Sequence, residues 1–278
     1  MKLIVDSGST KAAWALTQNG AVPHRFTSAG ISPYFMDDET VRAVVGEVRA
    51  QLKGVVPTEL HYYGTGCNAQ EQRQRLERLF SNLFPEIPLV RVYTDIAGAA
   101  RACCQREAGI TGILGTGSNA CRYDGRDVVE TAGGLGFILG DEGSGAAIGR
   151  ELLIAFLNRE LPGHSAQALQ ERFQLTRDNI LQSVYKLPFP NRYLASFMPF
   201  VHEYRAEAPV KALLERQFLL FFQRNILPLQ TPDPLPVHLV GSVAYFFDEE
   251  IRRCAQLATV LLGTTARDPV PGLAKYHI

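Results

Sequence analysis

The amino-acid sequence starts the same strand-and-turn pattern twice. The segments Ile4–Ser9 and Ile113–Ser118 both read apolar, apolar, acidic or small, hydroxyl, Gly, Ser. Each is an apolar strand that runs into a Gly/Ser turn, and each opens a unit of three predicted strands. The repeat constrains the fold because two similar strand units predict two similar domains.

The remaining periodicity predicts helices on the faces of both sheets. In the first unit, strands are predicted at 3–6, 12–17, 22–28, 60–63 and 89–93, with helices at 37–52, 69–84 and 96–106. In the second unit, strands are predicted at 112–117, 120–123, 237–240 and 259–262, with a mainly helical insertion over 142–225 and a helix at 246–258. The predicted fold class is therefore α/β, with mixed sheets flanked by helices.

Charge and apolar patterning exclude several function classes. Lys and Arg total 28, as do Asp and Glu, so no net field attracts nucleic acid or an anionic membrane surface. No apolar run approaches the roughly 20 residues of a membrane helix, and the N-terminus does not resemble a signal peptide. The five cysteines show no C-x-x-C spacing, which is typical of free thiols in a reducing compartment. A cytoplasmic location is predicted, and the histidine spacing predicts no zinc site.

The first Gly/Ser turn is a candidate phosphate loop. Backbone N–H groups and hydroxyls can wrap a phosphate, and the candidate residues are Asp6, Ser7, Gly8, Ser9, Thr10 and Lys11. The Asp6 carboxylate could hold Mg²⁺ through water. The alternative interpretation is an ordinary β-hairpin turn.

The second turn repeats this chemistry with Gly115, Thr116, Gly117 and Ser118. Two such loops could clasp one polyphosphate between the domains, so the pair is more specific than either loop alone. Neither loop is a Walker A motif or a dinucleotide fingerprint.

Two acidic positions are candidates for a catalytic or ligand-binding role. Asp95 lies where a predicted strand meets a predicted helix, so it is either a helix N-cap or a general base. The segment 133–145 has six glycines in thirteen positions, which indicates a close approach to the backbone. Asp141 and Glu142 in this segment either cap the next helix or bind a polar ligand. Gly241 and Ser242 suit an adenine pocket or a plain strand-to-helix turn.

The order of these motifs along the chain resembles that of the actin-like sugar kinase superfamily. Within it, the chain most resembles the family of N-acetylglucosamine kinases and BadF/BadG/BcrA/BcrD ATPases. The resemblance spans nearly the whole chain. It is carried by the loops at 6–11 and 115–118, the segment 94–99 around Asp95, the GGxGxxxGDEGS signature at 133–144 and the segment 240–244.

The resemblance implies two actin-like, ribonuclease H-like domains with a nucleotide and sugar cleft between them. The implied domains are 1–108 and 109–264, with 265–278 returning to the first. Thr10 and Thr116 would contact the phosphates of ATP, Asp6 would help to hold Mg²⁺, and Asp95 would activate a sugar 6-hydroxyl. The implied amino-sugar-binding residues are Ser32, Gly134, Leu135, Gly136 and Asp141. Domain closure is compatible with a homodimer.

Four positions depart from the family's usual residues. Ser7 and Ser9 stand where the family usually has glycine, Ser32 replaces an Asn, and Leu135 replaces a Trp. The first function predicted is an ATP-dependent kinase of an amino sugar, with N-acetylglucosamine as the leading substrate. The alternatives are a partner-activating ATPase of the BadF/BadG type and a non-catalytic sugar or nucleotide sensor.

Overall fold

Strand β1 (Lys2–Ser7) is buried on both faces, which makes it the centre of the first sheet. Leu3 and Val5 join one hydrophobic cluster, whereas Ile4 packs with Tyr63 and Leu273 in another. Successive side chains of a strand point to opposite faces, so a strand of this kind needs helices on both sides.

The first sheet has the order β3-β2-β1-β4-β5. Its other strands are β2 (Lys11–Gln18), β3 (Ala21–Ala29), β4 (Glu59–Gly64) and β5 (Leu89–Thr94). The β1–β2 and β2–β3 pairs are antiparallel, whereas the β1–β4 and β4–β5 pairs are parallel. The carboxyl ends of β1, β4 and β5 therefore lie side by side at one edge of this sheet.

Four helices accompany this sheet: α1 (Asp38–Gln51), α2 (Gln70–Leu83), α3 (Asp95–Cys104) and α13 (Val270–Tyr276). Helices α1 and α2 pack in the cluster of Leu3, and α13 packs on α3 and β1. The computed structural model describes residues 1–8, 10–33 and 36–278. Its first compact unit comprises Met1–Glu107, Asp124–Val128 and Asp268–Ile278, and its second comprises Ala108–Tyr123 and Val129–Arg267.

The second sheet repeats the strand order of the first. Its order is β10-β9-β6-β7-β8, formed by β6 (Ala108–Leu114), β7 (Ser118–Asp124), β8 (Val128–Gly133), β9 (Val237–Val240) and β10 (Leu262–Ala266). In both sheets, three strands that follow one another in the chain are joined by two later ones on the side of the first. The predicted restart, and the fold class of two mixed sheets flanked by helices, are confirmed.

The second unit contains most of the helices. They are α4 (Gly136–Leu139), α5 (Gly145–Leu157), α6 (Gly163–Phe173), α7 (Arg177–Tyr185), α8 (Pro190–Ala195), α9 (Met198–Glu203), α10 (Ala208–Phe221), α11 (Ser242–Phe246) and α12 (Asp248–Leu257). A π-helical turn, Phe222–Ile226, continues α10. Among the described residues, no helix combines the length and apolarity needed to span a membrane.

The helix predicted at 246–258 is present as α12 (Asp248–Leu257), and the short helix α11 ends just before it at Phe246. The neighbouring strand prediction is wrong in its limits. The strand predicted at 259–262 begins at Leu262, because Thr259 has a left-handed φ of 57° and the Val260 N–H donates to the Ala255 carbonyl at 2.9 Å. These residues end α12, so they cannot extend a strand.

Candidate functional site

The first predicted phosphate loop connects β1 to β2 as a tight hairpin. Its Gly8 N–H donates to the Lys11 carbonyl at 3.0 Å. Gly8, Thr10 and Lys11 are exposed, whereas Ser7 is fully buried. Ser9 was also predicted to bind phosphate and lies outside the described residues. The groups of this hairpin that can reach a ligand therefore include the Thr10 and Lys11 side chains.

Asp6 lies at the carboxyl end of β1 in a group of acidic side chains. Burial raises its pKa to about 7, and the negative charges of Asp95 and Asp268 add to the effect, while Arg25 opposes it. Arg25 itself forms an ion pair with Asp268 at 3.0 Å. This surplus of carboxylate oxygen suits a hard divalent cation such as Mg²⁺.

The described residues contain no group of three His, Cys, Asp or Glu side chains that could hold a metal ion unaided. A cation at Asp6 would need water and ligand oxygens to complete its coordination, which is common for Mg²⁺ at phosphate sites.

Asp95 is the first residue of α3, directly after β5. The N-cap of this helix is Thr94, whose side chain accepts from the Ala97 N–H at 3.2 Å. The N-cap interpretation of Asp95 is therefore wrong. Its carboxylate accepts from the Ile96 N–H at 2.8 Å and from the Thr65 hydroxyl, and burial nevertheless raises its pKa. A carboxylate at a strand end with a raised pKa has the properties of a general base. The sequence reasoning missed Thr65, because this residue lies in no recognisable sequence motif.

Ser32 follows the end of β3 and is buried, with its N–H donating to the Met36 sulfur. The Gly30 N–H just before it donates to the Thr10 carbonyl at 3.1 Å. The structure therefore brings the segment 30–32 against the first predicted phosphate loop.

In the second unit, the loop after β6 holds the start of α5. The Gly145 N–H donates to the Gly115 carbonyl at 2.8 Å and the Ala146 N–H donates to the Thr116 carbonyl at 3.0 Å. Ser144 caps the same helix by accepting from the Ala147 N–H. The first turn of α5 is therefore joined to the second predicted phosphate loop.

Asp141 lies beside this loop in a left-handed conformation. Its φ is 60°, a value uncommon outside glycine and often found at functional sites. Its Oδ1 accepts from the Ser118 N–H at 3.3 Å. Burial raises its pKa despite this hydrogen bond. A Cβ atom at position 117 would lie 2.9 Å from Asp141 Oδ2, so a larger residue there would displace the Asp141 carboxylate.

The glycine-rich segment between β8 and α5 contains the short helix α4. The Gly134 N–H donates to the Ser118 carbonyl at 3.2 Å, which ties Gly134 to the second loop. Gly136 opens α4, and the side chains of Leu135, Ile138 and Leu139 are 63–76% exposed. The predicted sugar-binding segment therefore presents an apolar surface close to Asp141.

Gly241 lies directly on the end of β6. Its φ is 126°, and a Cβ atom there would lie 2.2 Å from the Leu114 carbonyl oxygen. Only glycine fits both the conformation and the space. The predicted adenine-binding residues, Gly241 and the exposed Ser242, are thereby brought next to Gly115.

Two side chains of α10 and its π-helical extension support the signature segment, and the sequence reasoning missed both. The Gln217 side chain accepts from the Gly143 N–H at 3.3 Å. Arg224 pairs with the largely buried Glu142 at 2.7 Å. The stretch 218–222 reads as a plain buried helix, whereas the π-helical turn that follows it is a feature frequent at functional sites.

Comparison with solved structures finds a close relative. A Porphyromonas gingivalis protein provisionally named as an N-acetylglucosamine kinase is 36% identical to this chain. The match has a TM-score of 0.96 and covers 100% of this chain and 98% of that one. The chain belongs to the same family of sugar kinases.

More distant structures share the fold. A Chromobacterium violaceum protein, also provisionally named as an N-acetylglucosamine kinase, has 17% identity and a TM-score of 0.73 over 99% of this chain and 97% of that one. A ROK-family glucokinase from Streptomyces griseus, in complex with glucose and AMPPNP, has 14% identity and a TM-score of 0.58, with the same coverage of both chains. No protein-family profile and no curated protein matches the chain.

These comparisons confirm the sugar-kinase part of the predicted resemblance. The relation to BadF/BadG ATPases stays a prediction, as do the individual roles of the site residues.

Proposed function

We propose that this sugar kinase transfers the γ-phosphoryl group of ATP to the 6-hydroxyl of an N-acetylated amino sugar, with N-acetylglucosamine as the first candidate. The observation that carries the proposal is the position of Asp95 at the carboxyl end of β5, in the same unit as the β1–β2 hairpin. The relationship to the Porphyromonas protein supports this substrate class.

In the proposed reaction, Asp95 accepts the proton of the sugar hydroxyl. The hydroxyl oxygen forms a bond to the γ-phosphorus, and the bond from that phosphorus to the β–γ bridging oxygen breaks, releasing ADP. A base in such a transfer acts mainly by orienting the hydroxyl. The Thr65 hydroxyl and the Ile96 N–H bind the Asp95 carboxylate and so fix its direction.

Each unit by itself has candidate nucleotide-binding residues. In the first unit, Thr10, Lys11 and the exposed hairpin backbone would contact phosphate. In the second, Gly115–Ser118 would bind phosphate, and Gly241–Ser242, which lies next to it in space, would bind adenine. The Asp6 carboxylate would hold Mg²⁺ through water, and the ion, when bound, would neutralise charge on the phosphates.

Two features of the second unit support an acylated amino sugar. Asp141 offers a carboxylate to sugar hydroxyl or amide donors. Leu135 offers an exposed apolar side chain to a group such as an acetyl methyl. A plain hexose has no methyl group to bury there, so the acylated sugar would bury more apolar surface.

The test is to incubate the purified protein with Mg-ATP and each of N-acetylglucosamine, N-acetylmannosamine, glucosamine and glucose, with sugar phosphate detected by mass spectrometry. We expect sugar phosphate from N-acetylglucosamine at the highest kcat/KM. ATP hydrolysis without sugar phosphate would refute the proposal in favour of a partner-activating ATPase. Sugar or ATP binding without any turnover would refute it in favour of a sensor.

The variant Asp95→Asn tests the base. It should lower kcat by about 10²–10⁴-fold and leave the Kd for ATP close to that of the wild type. Asp178→Asn is the matched control, because Asp178 is an exposed acid in the first turn of α7. An Asp95→Asn enzyme as active as the Asp178→Asn control would overturn the role of Asp95.

A further inference from the structure

The hydroxyl of Ser7 forms hydrogen bonds to the protein backbone, although Ser7 belongs to the first predicted phosphate loop. Ser7 is fully buried. Its Oγ accepts from the Ile31 N–H at 2.9 Å and donates to the Ile31 carbonyl at 3.2 Å. A serine that is bonded to both backbone groups of one residue fixes that residue's position. The side chain of Ser7 therefore holds Ile31, the neighbour of Ser32.

A second buried hydroxyl reinforces this contact from the adjacent strand. The Tyr62 hydroxyl, on β4, donates to the same Ile31 carbonyl at 2.8 Å. The Ser7 and Tyr62 hydroxyls thus both donate to one carbonyl oxygen. Satisfied polar networks of this kind make a buried arrangement rigid. Residues 30–32 lie beyond the last strand residue of β3, so these hydroxyls replace the strand pairing that ends at Ala29.

Ser7 also contacts the segment that supports Asp95. The Thr65 N–H donates to the Ser7 carbonyl at 3.0 Å, and the Thr65 hydroxyl binds the Asp95 carboxylate. The backbone and side chain of one residue thus join three parts of the first unit: the phosphate hairpin, the segment before Ser32, and the turn that orients Asp95.

We propose that Ser7 is a positioning residue that sets the sugar-contacting segment 30–32 in register with the phosphate hairpin and with Asp95. This inference rests on the proposed function. A glycine at position 7, which is the usual residue of the resembling family, has no side chain with which to make the contact. The serine side chain at position 7 therefore holds Ile31 through contacts that a glycine there could not make.

The experiment compares KM for the sugar with KM for ATP in Ser7→Ala. Removing the hydroxyl leaves the buried Ile31 N–H without a partner, and we expect a sugar KM higher by about 10-fold, the equivalent of one buried hydrogen bond. The KM for ATP should change by less than about 3-fold, because the lost contact is to Ile31. Tyr62→Phe should raise the sugar KM in the same direction. The double variant should show less than the product of the two effects, because both hydroxyls act on one carbonyl.

Thr17→Val is the matched control. Thr17 is a buried residue of the same sheet, and its hydroxyl donates to the Lys2 carbonyl at the opposite end of β1. Its loss should leave the sugar KM at the wild-type value. Amide hydrogen exchange gives a readout that needs no activity, because the exchange of residues 30–32 should be faster in Ser7→Ala and unchanged in Thr17→Val.

Each outcome separates the inference from the proposed function. A wild-type protein that phosphorylates no sugar would refute the proposed function before any variant is compared. With an active wild type, the inference is wrong if Ser7→Ala keeps the wild-type sugar KM, if both KM values rise equally, or if exchange at 30–32 does not change. If Ser7→Ala fails to fold, Tyr62→Phe provides the same comparison.

Discussion

The substitution Gly241→Ala perturbs a point where the predicted adenine-binding and phosphate-binding segments touch. At this residue φ is 126° and ψ is 166°, a region that residues other than glycine hardly populate. The added Cβ atom would lie 2.2 Å from the Leu114 carbonyl oxygen and 2.7 Å from its carbon. The backbone of Leu114 or Gly241 must move to relieve this overlap.

The cost of Gly241→Ala follows from two contributions. Backbone strain costs about 1–3 kcal/mol, and overpacking in a closely packed site costs about 1–3 kcal/mol. We therefore expect the free energy of unfolding to fall by about 4 kcal/mol. At about 2–4 °C per kcal/mol, the melting temperature should fall by about 10 °C. Because Gly115 follows Leu114, displacement of that backbone should also raise KM for ATP.

The assay for Gly241→Ala is thermal unfolding followed by circular dichroism, combined with the KM for ATP. Gly46→Ala is the control, because Gly46 lies exposed within α1 and a Cβ atom there would meet no atom within 4 Å. Gly46→Ala should stabilise the protein by up to about 1 kcal/mol. If Gly241→Ala melts within about 2 °C of the wild type, the reasoning from close approach is refuted.

Three further predictions concern charged groups. Because burial raises the pKa of Asp95, kcat/KM should begin to fall on acidification at a higher pH than it would with an aspartate of ordinary pKa. A fall that begins only at the pH expected of an ordinary aspartate would contradict the role of Asp95 as the base. The His277 ring lies tilted against the His61 ring, with the ring centroids 3.9 Å apart, and burial lowers the pKa of His277 from 6.5 to about 3. The unfolded chain then binds the additional proton, so stability should rise with pH between about 3 and 6.5, by at most about 1.4 kcal/mol per pH unit. His277→Phe should flatten this slope in urea titrations at several pH values, and an unchanged slope would show that His277 is not its source. Arg224→Ala removes the partner of Glu142 and should lower the free energy of unfolding by about 1 kcal/mol; adding Glu142→Gln should restore part of that loss in the same titrations, and no recovery would rule out the ion pair as its cause.

Local sequence was sufficient wherever short-range chemistry determines the structure. The apolar run at Val237–Val240 forms a strand with the predicted limits, and Asp37 caps α1 by accepting from the Thr40 N–H at 2.9 Å. The repeated strand-and-turn pattern predicted two sheets with the same opening strands. These features depend on side-chain periodicity and on contacts within a few residues, which a sequence displays directly.

Competition between neighbouring groups was harder to predict. Thr94 and Asp95 both suit a helix N-cap, and the structure uses Thr94, which leaves the Asp95 carboxylate with the Ile96 N–H and Thr65. The start of β10 was also missed, because the left-handed Thr259 ends α12 in residues whose composition suits a strand.

The sequence by itself determined the two-sheet architecture, the Gly/Ser loops and the acidic positions, because each depends on residues of one continuous segment. Only the tertiary structure decided which of these segments meet. Ser7 binds Ile31, Gly241 lies on Leu114, and Asp141 lies beside Gly117. These contacts join residues far apart in the chain, and they depend on the sheet order and on space that only the packed fold defines.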